Sequence, residues 1–265
     1  MLSEWDFTIN KYRELCKTIA GSKYKVLTLC EYLQNPRHAK FDNNVIIMRH
    51  DVDRDSRYAL ETAKVEYESK IRSTYYFRMK KKTFLKDVID KIVSYGHEIG
   101  YHYETLDKNH GDIELARKMF VEELAEFRKR YDVKTVCAHG NPLTKYDNKE
   151  IWKSQKLSDY GLVGEAFLSI DGTRFIYFSD SGRTWRNDRS QKMPGKDSIE
   201  TVFSHIEAKN TDDIIKIIRL GQLPNIYILT HPERWSNSTL QFLNRYFIDF
   251  TFILGKKVIY QIIRT

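Results

Sequence analysis

The sequence predicts an α/β chain folded as a distorted (β/α) barrel with mostly parallel strands. Two patterns predict it. Short apolar or β-branched runs alternate with stretches of helical periodicity four times in succession between residues 45 and 138, and the alternation resumes later in the chain. Polar residues gather at the ends of those runs, including four of the eight histidines. In a parallel barrel the C-terminal ends of the strands carry the chemistry.

Each element has its own signal. Residues 7–20 place Phe7, Ile9, Tyr12, Leu15, Cys16 and Ile19 at helical spacing, with Gly21 as the stop. Val45, Ile46, Ile47 and Met48 form the apolar run of a buried strand. Residues 56–69 read as a helix and residues 73–77 as a second strand of β-branched and aromatic residues. A helix over 84–95 closes at Gly96, and residues 97–102 form a third strand. A long helix over 113–130 leads to a fourth strand at 135–138. The stretch 140–200 is rich in glycine and irregular, with a short strand around Phe175–Phe178. Helices are expected near 198–208 and 211–219, a strand at 225–230, and one long helix from Ser236 onward. With no linker and no internal repeat, the expectation is one domain over residues 1–265, with an N-terminal helix and a long C-terminal helix.

Bulk properties narrow the function classes. The chain has 265 residues, 17 Tyr and 14 Phe, and enough apolar content for a core. Its formal charge of +8 comes from 44 basic residues interleaved with 36 acids. Only Arg78–Lys82 is a dense basic run, and no nucleic-acid motif accompanies it, so no nucleic-acid partner is expected. Three cysteines without a CxxC pair fit a reducing compartment. No secretory leader and no spanning apolar stretch are read in the sequence. The expected location is cytoplasmic, extending to the inner membrane surface. The tail, with Phe242, Leu243, Tyr246, Phe247, Phe250, Phe252 and Ile253 beside Arg245, Lys256 and Lys257, has the composition of an interfacial helix, which allows a peripheral membrane contact. Packing of that tail against the barrel is the favoured expectation.

The first strand ends in Arg49-His50-Asp51-Val52-Asp53, the third in His102-Tyr103-Glu104, the fourth in His139-Gly140-Asn141 and the last in His231-Pro232. Asp51 and Asp53 share a strand face, and two like charges that close repel unless a cation lies between them or one is protonated. A helix N-cap followed by a solvated acid is the plain alternative. Carboxylate and imidazole together are ordinary zinc ligands.

These residues resemble a family. Arg49–Asp53 after an apolar strand looks like the first motif of the polysaccharide deacetylases. Gly96-His97-Glu98-Ile99-Gly100-Tyr101-His102 is similar to their second block, and Leu229-Thr230-His231 to their last. His139–Leu143 and Ser179–Trp185 look like blocks of a subgroup associated with bacterial surface-polysaccharide biosynthesis. The resemblance spans roughly residues 45–235. It implies a metal-dependent deacetylase acting on an N- or O-acetylated sugar, with nucleotide sugars and lipid-linked saccharides as candidate substrates and Zn2+ or another divalent metal as cofactor. Asp51 then corresponds to the catalytic base, His231 to the general acid, and Asp53 and His102 to metal ligands. The family's second metal histidine, four residues after the first, is replaced here by Leu106, and its Arg-x-Pro block, which orients the catalytic acid, is missing around 138–143. His139 is the preferred substitute ligand, with His110 and Glu104 as other candidates. Glu104, Asn141, Asp180, Arg183 and Trp185 are expected to bind substrate. The alternative function is a catalytically degenerate carbohydrate-binding protein on the same fold. His97 and His50 are expected to be structural, since their strand parity opposes that of His102 and Asp51.

Overall fold

The structure is a computed structural model that describes residues 5–35, 44–141, 144–185, 199, 201–203 and 205–264. In chain order its elements are α1 (Ile9–Ala20), β1 (Lys25–Leu27), α2 (Leu29–Gln34), β2 (Val45–Val52), α3 (Ser56–Glu68), β3 (Thr74–Phe77), α4 (Lys86–Ser94), β4 (Glu98–Tyr103), α5 (Thr105–Lys108), α6 (Ile113–Arg128), β5 (Thr135–Ala138), β6 (Gly164–Glu165), β7 (Ile176–Ser179), α7 (Thr211–Leu220), β8 (Asn225–Thr230) and α8 (Thr239–Arg264).

All strands pair in parallel in one curled sheet, ordered β6-β5-β4-β3-β2-β8-β7, with β1 added to β2. The result is a half-barrel of the predicted α/β class. β2 is an interior strand, paired along both edges. Its first residues pair with β1, its last with β3, and its other edge runs along β8 from Val45 opposite Asn225 to His50 opposite Thr230. Every residue of β2 is buried. That is why it reads as a continuous apolar run before the polar residues begin.

Strand alternation divides each strand between two packed layers. Ile46, Met48, Ile226, Ile228, Ile176 and Phe178 face α1 and α7 in one hydrophobic cluster. Val45, Ile47, Tyr227, Leu229 and Tyr177 line the hollow of the curl in a second cluster, which continues outward beneath α3, α4 and α6. Within the hollow, Tyr227 Oη donates to the Ala166 carbonyl at 3.0 Å, and the Arg49 guanidinium lies 4.0 Å over the Phe167 ring. These contacts draw the β6 end of the sheet toward its centre. Tyr76 crosses the hollow from β3, its hydroxyl 2.8 Å from Thr135 Oγ1 on β5. Its ring lies over Gly100, where an added Cβ would fall 2.2 Å from the ring.

The helices show local logic. Thr8 caps α1 by accepting from the Lys11 amide, and Tyr12, Leu15, Cys16 and Ile19 bury one face. Asp55, Asp112 and Asn210 cap α3, α6 and α7 in the same way.

The structure corrects several expectations. The described residues of 199–208 form turns, not a helix: Thr201 Oγ1 donates to the Phe175 carbonyl at 2.6 Å, tying the segment to the start of β7. β1 and α2, absent from the sequence prediction, follow the first helix. α8 begins at Thr239 because Ser236 pairs with Thr8 and its amide donates to the Phe7 carbonyl. α8 lies against the body, where the Phe242 ring meets the edge of Trp5 at 5.0 Å. It is held by Arg245, which donates to the Trp235 carbonyl and stacks 4.0 Å over the Tyr58 ring, and by Asp249, which accepts from Arg54 and Arg183, both at 2.8 Å. Leu240, Leu243, Tyr246, Phe247 and Phe250 are exposed.

Candidate metal centre

Three side chains meet at the C-terminal ends of β2, β4 and β5. Asp53 follows β2, His102 is the penultimate residue of β4, and His139 follows β5. Asp53 Oδ1 lies 3.3 Å from His102 Nε2 and 3.1 Å from His139 Nδ1, and the two nitrogens are 3.2 Å apart. Those three separations form a nearly equilateral triangle. Ligands bonded to zinc at about 2.0–2.1 Å in a tetrahedron stand about 3.3 Å apart, the same edge length.

The hydrogen bonds around the triangle leave it rich in acceptors. His102 Nδ1 lies 3.0 Å from the Cys137 carbonyl, which can only accept, so the proton sits on Nδ1 and Nε2 carries a lone pair. Asp53 Oδ1 is buried and has no hydrogen-bond partner. Burial opposes ionisation of Asp53, yet His139 and His102 hold its carboxyl well below the ordinary range. Acceptors converging at one point call for a cation. The residues therefore fit a divalent metal such as zinc, with Asp53, His102 and His139 as its holders. A second triad, Asp51, His102 and Cys137, is also close enough to ligate. It fits less well, because both Asp51 oxygens are already engaged by Arg49.

His139 is held by its backbone. Its amide donates to the Tyr103 carbonyl at 2.8 Å, and its carbonyl accepts from Asn148 Nδ2 at 2.8 Å. Asn148 Oδ1 also accepts from the Leu106 amide at 3.0 Å, so one buried asparagine ties α5 to the end of β5. Leu106 itself packs in the hydrophobic core. His110 sits at φ 52°, and Glu104 is engaged by Arg78, Lys80 and Lys108. Burial raises the Glu104 pKa, but Arg78, His139 and Lys80 bring it down to about 2.

Two polar dyads flank the triangle. Asp51 lies 3.8 Å from His102 Nε2 and accepts a bidentate pair from Arg49, with Nε 3.0 Å from Oδ1 and Nη2 2.9 Å from Oδ2. Burial works against the Asp51 charge, but Arg49, His102 and His231 keep its pKa below the ordinary value. Arg49 was legible as a neighbour of the acids but not as their partner. The signal was its spacing, since a residue two before Asp51 shares its face. On the other side, His231 Nε2 stands 4.0 Å from Asp53 Oδ2. Its Nδ1 lies 2.6 Å from Asp180 Oδ1, and Asp180 also accepts from the His231 amide, Arg234 and Trp235. Burial and Arg234 lower the His231 pKa, but Asp180 and Asp53 outweigh them and it is raised. Glu233, two residues further on, is buried with one oxygen unpartnered, and burial with nearby Asp53 pushes its pKa up to about 7.

Asp51, Asp53, His102, His139 and His231 thus come together, and the residues expected to bind substrate mostly do not face open space. Asp180 is fully buried behind His231 and orients it. Trp185 is fully buried, its ring near Phe7 and Trp235 and its Nε1 bonded to Thr211, so it offers no platform to a sugar. Arg183 pairs with Asp249. Asn141 is half-buried, two residues from His139. His97 and His50 are structural, as their parity indicates: His97 bridges the Ser73 amide and the Ala63 carbonyl, and His50 lies between Thr230 and Glu66. No family model matches this chain, and no curated protein matches it.

Proposed function

We propose that the chain is a metal-dependent hydrolase that removes an acetyl group from an N- or O-acetylated sugar, as a divergent relative of the polysaccharide deacetylases. The observation that carries this reading is the triangle of Asp53, His102 and His139 flanked by a carboxylate on one side and an imidazole on the other. A divalent cation held by the triangle would supply Lewis acidity, polarising an acetyl carbonyl and making water a stronger acid.

The protein's own groups divide the proton transfers. Asp51, kept ionised by Arg49, accepts a proton from the attacking water. Arg49 takes one lone pair of each oxygen and the Cys137 thiol lies 3.7 Å from both, but its single hydrogen meets only one of them, which leaves the other a lone pair for the water proton. Arg49 is the positioning residue, supplying from the same strand what the family's absent Arg-x-Pro block would supply. His231 gives its Nε2 proton to the departing amine or alkoxide, while Asp180 fixes its tautomer through Nδ1. Surface-polysaccharide precursors are the substrate class that the sequence resemblance suggests.

The test combines zinc stoichiometry with acetate release from N-acetylated sugars and their nucleotide-linked forms. Asp51→Asn is expected to keep its zinc and lose about 10²–10⁴ in rate, the usual loss for a positioned base. Asp53→Ala is expected to lose both metal and activity. Equal metal loss in the two variants would reverse the roles assigned to Asp51 and Asp53. A wild-type protein that neither retains zinc after loading nor releases acetate would sink the reading and leave a non-catalytic sugar-binding protein.

A further inference from the structure

The last helix carries a surface that the proposed chemistry does not use. Between Thr239 and Thr251, Leu240, Leu243, Tyr246, Phe247 and Phe250 are exposed, Leu240 at 80% and Phe247 at 66%. At 100° per residue they fall within one stripe about 120° wide. The other exposed positions of this stretch, Thr239, Asn244 and Thr251, are uncharged. Ordinary surface helices place charged residues on the solvent side, and among the described side chains of this helix, residues 239–251, none is charged there. The charged residues of the stretch, Arg245 and Asp249, are buried and hold the helix to the body. Asp249 is also the sole acid between Thr239 and Arg264, a segment that contains Arg245, Lys256, Lys257 and Arg264.

A basic feature lies at the same end of the sheet. Lys80, Lys81 and Lys82 follow β3 and are exposed. The Lys82 carbonyl accepts from the Ser56 amide at the start of α3, and Tyr58 of that helix stacks under Arg245 of α8. One turn of α3 therefore joins the lysine turn to the root of α8.

We propose that the outer face of α8 and the Lys80–Lys82 turn together form a docking surface for an anionic lipid bilayer. Leucine and aromatic side chains on one side of a helix enter the acyl–headgroup boundary, and neighbouring lysines meet the negative headgroups. A second copy of the chain suits the surface less well. A helix pair sets its register and partner with charges beside the apolar seam, and the exposed positions beside this one carry none. The proposal stands on this surface alone and is independent of the reaction assigned to the metal centre.

The test is co-sedimentation of the full chain with vesicles of phosphatidylcholine alone or of phosphatidylglycerol and phosphatidylcholine in equal parts. Binding is expected to the mixed vesicles, weakening as salt is raised. The double variant Leu243→Ser, Phe247→Ser changes only exposed side chains, so its circular dichroism and thermal unfolding should match wild type. Its partitioning should fall at least about tenfold. Lys81→Gln and Lys82→Gln should each cost about fivefold on the mixed vesicles. Absence of wild-type binding to the mixed vesicles would overturn the proposal, and so would binding that the serine variant leaves intact. A stable dimer in vesicle-free solution that the serine variant converts to monomer would also overturn it, assigning the face to a second copy.

Discussion

Arg49 and Asp51 form an ion pair with almost no solvent around it, at side-chain exposures of 0% and 3%. A pair so buried contributes little net stability against an apolar replacement, but removing one partner strands the other. Arg49→Met is therefore expected to cost about 3–5 kcal/mol in urea unfolding because it strands the carboxylate, and Asp51→Asn is expected to be costly too because it strands the buried guanidinium, eased only by the hydrogen bonds the amide oxygen still accepts. Glu66 makes the matching argument on the outer face of β2. It accepts from Tyr12 at 2.5 Å, Tyr75 at 2.6 Å and Ser73 at 2.9 Å, and lies 2.7 Å from His50 Nε2. Burial resists its ionisation, but His50, His97 and the Tyr12 hydroxyl bring its pKa from 4.5 down to about 2. A depressed folded pKa stabilises the fold above the unfolded value, and the contribution disappears as pH falls from about 4.5 to about 2. The loss amounts to roughly 3 kcal/mol. Stability curves from pH 6 to pH 2 should fall less steeply in Glu66→Gln than in wild type; equal slopes would show that Glu66 is not the acid-sensitive group. Leu106→His tests the departure from the family pattern. Since Leu106 packs in the core, the new imidazole should destabilise the protein and leave zinc affinity unimproved, as calorimetry and metal titration would show.

At the scale of elements, legibility followed burial and length. β2, β3, β4, β5 and β8 were readable because both faces are covered and the runs are apolar or β-branched. β1 has three residues and β6 two, too short to show a period. The five polar residues that meet at the centre were readable because strand ends of one parallel sheet share one rim. Asp180 was misread because its loop gives no parity, and only the fold shows it behind His231. Trp185 was misread because aromatic content does not tell a buried ring from an exposed one. Gly100 belongs to this scale too. It was visible as part of a motif, but its physical role comes from the Tyr76 ring that occupies its missing side-chain space. Gly100→Ala should force that ring off the β4 surface and cost about 1–3 kcal/mol or more by overpacking. Paired with Tyr76→Leu, the alanine should become cheaper, and a double-mutant cycle reads the difference.

The whole molecule gathers its candidate metal site from residues 53, 102 and 139, with a flanking histidine from 231, so the cluster exists only in the folded chain. A ligand that binds the folded state alone stabilises it by mass action, by about 4 kcal/mol at a thousandfold excess over its dissociation constant. Zinc should raise the unfolding temperature of the wild type and chelator should lower it, with Asp53→Ala indifferent to both. The same sheet order has a further result for how the chain is made. β8 arrives after every other strand, yet it inserts between β2 and β7 and forms with β2 a six-residue pairing. Until residue 230 leaves the ribosome, β2, an interior strand of the finished sheet, has one unpaired edge, apolar along Val45–Met48 and open to other chains. A nascent chain halted before residue 225 should therefore self-associate or recruit chaperones, and release once Asn225–Thr230 closes the seam.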